Sequence, residues 1–136
     1  MSLTPPRTYT PEEANEALPQ VRELVERIVS NFNLLPELQE SARVADYKTS
    51  RPNAGPEMEE NYERARRAMH DAEMELADAA LRLERLGISL KDGQQGLIDF
   101  YSYRDGELVE LCWKLGEPAV QHWHRIGAGF AGRQPL

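Results

Sequence analysis

Residues 58–87, MEENYERARRAMHDAEMELADAALRLERLG, decide the fold. Met58, Tyr62, Ala65, Met69, Ala72, Leu76, Ala79, Leu83 and Leu86 recur at steps of four and three without a break. That period places one apolar seam along an α-helix. Gly87 follows where such a helix stops, because only glycine enters the left-handed region cheaply. A helix over 57–86 is roughly 45 Å long at 1.5 Å per residue. Alanines within the seam allow a neighbouring helix to approach closely.

The neighbour is upstream. Thr10-Pro11-Glu12-Glu13 offers an N-cap hydroxyl, a proline in the first turn and a glutamate at N3, a capping box that starts a helix. Ala14, Leu18, Val21, Val25, Ile28, Phe32 and Leu35 continue at the same spacing, and Ala17, Leu24 and Val29 widen the stripe. A stripe this wide meets more than one partner. Pro19 removes a backbone donor, which predicts a kink, and Pro36 either bends or ends a helix read over 11–46. Lys48 to Pro56 reads as a loop, rich in Ser50, Pro52, Asn53 and Gly55. Short connections make sequential helices antiparallel, so a helical hairpin is expected.

Beyond Gly87 the pattern changes. Gly96 to Tyr103 and Glu107 to Trp113 are rich in β-formers, and Asp105-Gly106 between them is a tight-turn signal. Ile88 to Leu90 adds a short extended piece, Gly116 to Pro118 a turn, and 119–126 a third strand or a short helix, before a tail over 127–136. The expected class is mainly α (α+β): a long antiparallel helical hairpin with a small C-terminal β-hairpin subdomain over 88–136. One domain is expected over 1–136.

Bulk properties narrow the function. The 136 residues carry a net charge of −7, with 40% hydrophobic and 29% charged residues. That balance argues against nucleic acid and anionic membrane surfaces, both of which need a basic footprint. Arg64, Arg66 and Arg67 form a short basic cluster, but Glu60 and Glu63 precede Arg64 and Arg67 by one helical turn, as in a solvated ion-paired face. No apolar run reaches the ~20 residues that span a bilayer, and residues 1–10 lack the apolar core of a leader segment. The single cysteine, Cys112, fits a reducing compartment. A cytoplasmic location is expected.

The assembled residues resemble an uncharacterised bacterial family, Domain of Unknown Function twenty-two-oh-three. The resemblance is carried by Tyr9-Thr10-Pro11-Glu12-Glu13-Ala14-Asn15, Leu18-Pro19, Gly87-Ile88, Lys91-Asp92 and Gly96-Leu97-Ile98-Asp99-Phe100. It continues through Leu111-Cys112-Trp113, Gly116-Glu117, Trp123-His124 and Gly129 to Leu136. It implies a fold and no activity, and its motifs are densest in the C-terminal third.

That third also holds the candidate chemistry: Asp99, Cys112, Glu117, His122 and His124. Imidazole, thiolate and carboxylate are the usual ligands of zinc and neighbouring divalent transition metals. His122 and His124 face the same side only on a strand, because on a helix they lie about 200° apart. The resemblance centres on Trp123-His124, which puts His124 first. The competing reading has His124 hydrogen-bonded to Asp99, Cys112 as a small buried hydrophobe, and Trp113 and Trp123 in the core. Arg133 pairs with Asp99 or Glu117, or else binds an anion. Cys112 is no nucleophile, since its apolar strand raises its pKa. His70, beside the helical seam, reads as inert.

Two function classes therefore stand. The favoured one is a non-catalytic interaction or structural protein that self-associates, with homodimeric pairing of two hairpins into a four-helix bundle, or a protein partner on a helical face. The alternative is a metal-binding protein or metal-dependent enzyme using the C-terminal cluster.

Overall fold

The computed structural model describes residues 5–136; the first four residues, part of the stretch read for a leader and of the expected 1–136 domain, lie outside the described residues. Helix α1 spans Pro11–Thr49 and starts at the expected capping box, with Thr10 and Glu13 each bonding the other's backbone N–H. It runs unbroken through both Pro19 and Pro36 and past the expected end at 46. Each proline deprives one carbonyl, Asn15 or Phe32, of its usual donor. Both prolines are exposed, on the solvent side of the helix. A turn over residues 50–55, inside the expected loop, leads to helix α2, Pro56–Arg85. Thr49 Oγ1 reaches the Met58 carbonyl at 3.3 Å and Arg27 reaches Asp78 at 3.0 Å, which fixes the two helices antiparallel.

The C-terminal third corrects the expected class. Instead of a β-hairpin on a mainly α chain, it forms a five-stranded antiparallel sheet, and the architecture is mixed α+β. Strands β1 (Ile88–Asp92), β2 (Leu97–Arg104), β3 (Glu107–Lys114), β4 (His122–Arg125) and β5 (Gln134–Pro135) lie in sequence order. The Asp105-Gly106 turn between β2 and β3 has φ of 52° and 78°, the paired left-handed geometry that matches strand twist. Of the two options for 119–126, a strand forms. The tail over 127–136 supplies a short 3-10 turn, Phe130–Gly132, and then β5.

Strand alternation sorts side chains between two faces. Ile98, Phe100, Leu111, Trp113 and Trp123 point inward and join Leu18, Val21, Val25 and Ile28 of α1 and Ala79 and Leu83 of α2 in one core. Gly96 permits this approach. Its φ is +73°, and a Cβ there would lie 2.8 Å from Leu115 and 2.9 Å from Val25. The N-terminal stretch is tied across the sheet by Tyr9 N–H to Tyr101 O at 2.7 Å. Asn15 bridges both backbone groups of Val120, accepting from its N–H at 2.8 Å and donating to its carbonyl at 3.1 Å.

The sheet covers only the base of the hairpin. Past Asn33, which bonds Gln94 O, and before Leu76, neither helix contributes to the core cluster. In that distal arm Ala42 and Ala72 are the fully buried helix residues among those described.

Candidate functional site

The sheet's second face points away from the helices. Register sets Asp99 opposite Cys112 and Cys112 opposite His122, with Glu110 opposite His124 in the next row. A solvent-facing sheet surface would carry such residues exposed. Here Asp99, Glu110, Cys112 and His124 are all at most 4% exposed. The tail after β4 accounts for this, since Gly127, Gly129 and Phe130 fold back as one wall of a cavity of about 230 Å³. Lys91, Leu97, Asp99, Glu110 and His124 line the remainder.

His124 is held at both ring nitrogens. Nδ1 lies 2.9 Å from the Arg125 carbonyl oxygen and Nε2 lies 3.1 Å from Asp99 Oδ1. A carbonyl only accepts, so Nδ1 carries a proton. Nε2 then shares one proton with Asp99 Oδ1, and if that proton leaves, its lone pair can bind a cation. Fixing one nitrogen through a backbone carbonyl is how a ligating histidine is usually oriented. Asp99, Cys112 and His124 each offer one donor atom, and these atoms lie within 4.8 Å of one another.

The cluster is electrostatically unfinished. Burial pushes the Asp99 carboxyl above its ordinary range; nearby His124 opposes this, while Glu110 adds to it. Cys112 is pushed up to about 11, first by burial and then by Asp99, with Arg133 opposing. Both effects disfavour the thiolate at Cys112. Glu110 Oε2 has no hydrogen-bond partner among the described residues. Lys91 Nζ sits 3.5 Å from it, near enough for charge attraction but without hydrogen-bond geometry.

The other expected site residues lie apart from this triad. Glu117, between β3 and β4, accepts from Lys114 N–H at 2.8 Å, and both its oxygens take bonds from Arg133. His122 sits on the strand that the two-histidine reading required, and its Nδ1 is buried without a partner among the described residues. It lies beside Cys112 in register but outside the triad. Arg133 also approaches Cys112 Sγ at 3.9 Å and lies over the Phe130 ring at 4.2 Å. Sequence reasoning missed Glu110 and Lys91. Glu110 was findable: a carboxylate two residues before Cys112 on a strand must share its face.

A helical hairpin laid on one face of an antiparallel meander, with a buried polar cluster under the tail on the other, defines an α+β protein. The chain belongs to the family described as Uncharacterized conserved protein (DUF2203), which matches residues 7–136. No curated protein and no solved structure matches it.

Proposed function

We propose that this chain is a metal-binding protein that holds a zinc-type divalent transition ion between Asp99, Cys112 and His124. The observation that carries the reading is the mutual approach of one carboxylate, one thiol and one imidazole, within 4.8 Å and screened from solvent. A tetrahedral ion with bonds of about 2.0–2.3 Å sets its donors about 3.3–3.8 Å apart, so modest side-chain adjustment closes the shell. The cation would displace the Cys112 proton and supply positive charge beside the two buried carboxylates, Asp99 and Glu110. Three protein ligands leave a fourth position open, and the adjacent cavity is where it would face.

The test adds zinc, nickel, manganese and iron(II) separately to chelator-treated protein and follows the melting temperature. An ion at a hundred times its Kd stabilises by about 2.7 kcal/mol, several degrees for a chain this size. The shift is expected for zinc and absent in His124→Ala. If no ion shifts the wild type, or the substitution leaves the shift intact, the buried group is a hydrogen-bonded His–Asp pair and nothing more.

A second reading, self-association, rests on a separate observation. Leu35, Leu38, Met58, Tyr62 and Met69 follow the seam into the distal arm, yet remain only half-buried there. Two helices alone leave such a seam wet, and pairing with a second hairpin would dry it. We also read the chain as one domain, since a single core draws on α1, α2 and the sheet. A reducing cytoplasmic location suits the buried free thiol of Cys112. Among the described residues no helix is long and apolar enough to cross a membrane.

A further inference from the structure

Near the tip of the arm the two helices leave a groove of about 370 Å³. Its floor is small and apolar, formed by Val44 and Ala45 of α1 and Met58 and Ala65 of α2. Charge appears only at the two ends of the α1 stripe, with Glu40 one turn before Val44 and Lys48 one turn after it. The Thr49–Met58 contact sets the hairpin's register, so the midpoints of the α1 and α2 stripes lie within about one turn of each other along the arm.

A surface of this kind has a definite symmetry. In a two-fold contact a patch meets itself reversed, so residues at equal distances from the axis face each other. Equal charges at those positions would repel, and opposite charges pair twice. We propose that the groove docks a second copy of this chain, arm against arm and antiparallel, with the axis at Val44. Glu40 of each copy then meets Lys48 of the other, and the apolar floors close together. This rests on the self-association reading and names its surface.

Ser41 and Ala45 keep the stripe low enough for helices to approach closely, near the lower end of the usual 8–10 Å spacing. Glu40 already holds Arg43 of its own helix, at 3.0 and 2.6 Å. A carboxylate has about four acceptor sites, so the partner's lysine adds to that pair without displacing it. Among the described residues no other charged residue lines the groove, and sign reversal about a central point is what an isologous contact needs. A different protein on the same groove would not require it.

Charge swapping tests this with the full chain. Glu40→Lys and Lys48→Glu each place like charges at both ends of the proposed contact, whereas a mixture of the two variants restores opposite charges at both. Light scattering is expected to give twice 15.5 kDa for the wild type at micromolar concentration and the monomer mass for each variant alone. The dimer mass should return on equimolar mixing. Both positions are exposed, so each variant should keep the wild-type far-ultraviolet circular dichroism, and this is checked first. A monomeric wild type overturns self-association and the groove together. A dimeric wild type whose variants remain dimeric, or whose monomeric variants fail to pair on mixing, overturns the groove alone.

Discussion

Arg133 grips Glu117 through two parallel bonds, Nη1 to Oε1 at 3.0 Å and Nη2 to Oε2 at 2.5 Å, with both side chains about four-fifths buried. This pair fastens the tail to the turn between β3 and β4, and the fastened tail is what seals the polar face of the sheet. Glu117→Gln keeps the shape but removes the charge. A loss of about 1–3 kcal/mol is expected, as for other hydrogen bonds to charged groups, read as a lowered midpoint in urea. A midpoint equal to wild type would mean the tail is held without this pair.

The same pair sets an acid limit. The Arg133 hydrogen bonds hold the Glu117 carboxyl below its ordinary range, against some desolvation. A depressed carboxylate contributes stability that is complete above the unfolded value of about 4.3 and is lost as pH falls through the folded one. Wild type and Glu117→Gln should therefore differ in melting temperature at pH 7 and converge in acid, below the ordinary carboxylate range. A gap that stays constant down to acid pH would contradict this origin.

Asp99 behaves oppositely. Burial raises its carboxyl pKa, so in metal-free protein it costs stability once the pH exceeds both its unfolded and folded values. Asp99→Asn should melt at or above the wild-type temperature at pH 7 without metal, and should lose the shift that zinc confers. A variant that is less stable without metal would show the carboxylate acting as a structural anchor.

Core and arm should answer differently to truncation. Leu83, 1% exposed in the core, is expected to cost about 2–5 kcal/mol as alanine. Met58→Ala in the half-buried arm should cost less than half as much in protein diluted below its association constant. Equal costs would place the arm seam in a core as complete as the sheet's.

Gly96→Ala tests the closest helix–sheet approach. A left-handed φ costs a non-glycine residue about 1–2 kcal/mol, and overpacking adds about 1–3 kcal/mol. A variant retaining wild-type stability would show that Leu115, Val25 and Val29 can move aside.

The hairpin was legible because Met58 to Leu86 carries one uninterrupted period, and periodicity is a local signal. The end of α1 was read three residues short, at 46 rather than Thr49, because the polar stretch past Pro36 has no apolar period of its own to mark where the helix stops. The β2–β3 turn was readable from Asp105-Gly106. The fourth strand stayed open between strand and short helix, and the fifth was hidden because Gln134–Pro135 has no strand pattern of its own and pairs only because β4 offers an edge. The candidate site was half legible. Residue chemistry pointed to Asp99, Cys112 and His124, while separating them from Glu117 required knowing that Arg133 reaches it from the tail. Burial of the outer sheet face comes from that same tail, and nothing in strand alternation announces it.

The Asn15–Val120 clamp joins residues 105 positions apart, and it has a consequence for synthesis. A ribosome adding roughly 5–20 residues per second releases the apolar stripe of α1 about 5–20 seconds before the strands that cover it. Of the elements that cover Leu18, Val21, Val25 and Ile28, α2 is complete first, at Arg85, before β2 to β4. The strands made last are therefore the ones that cover this stripe.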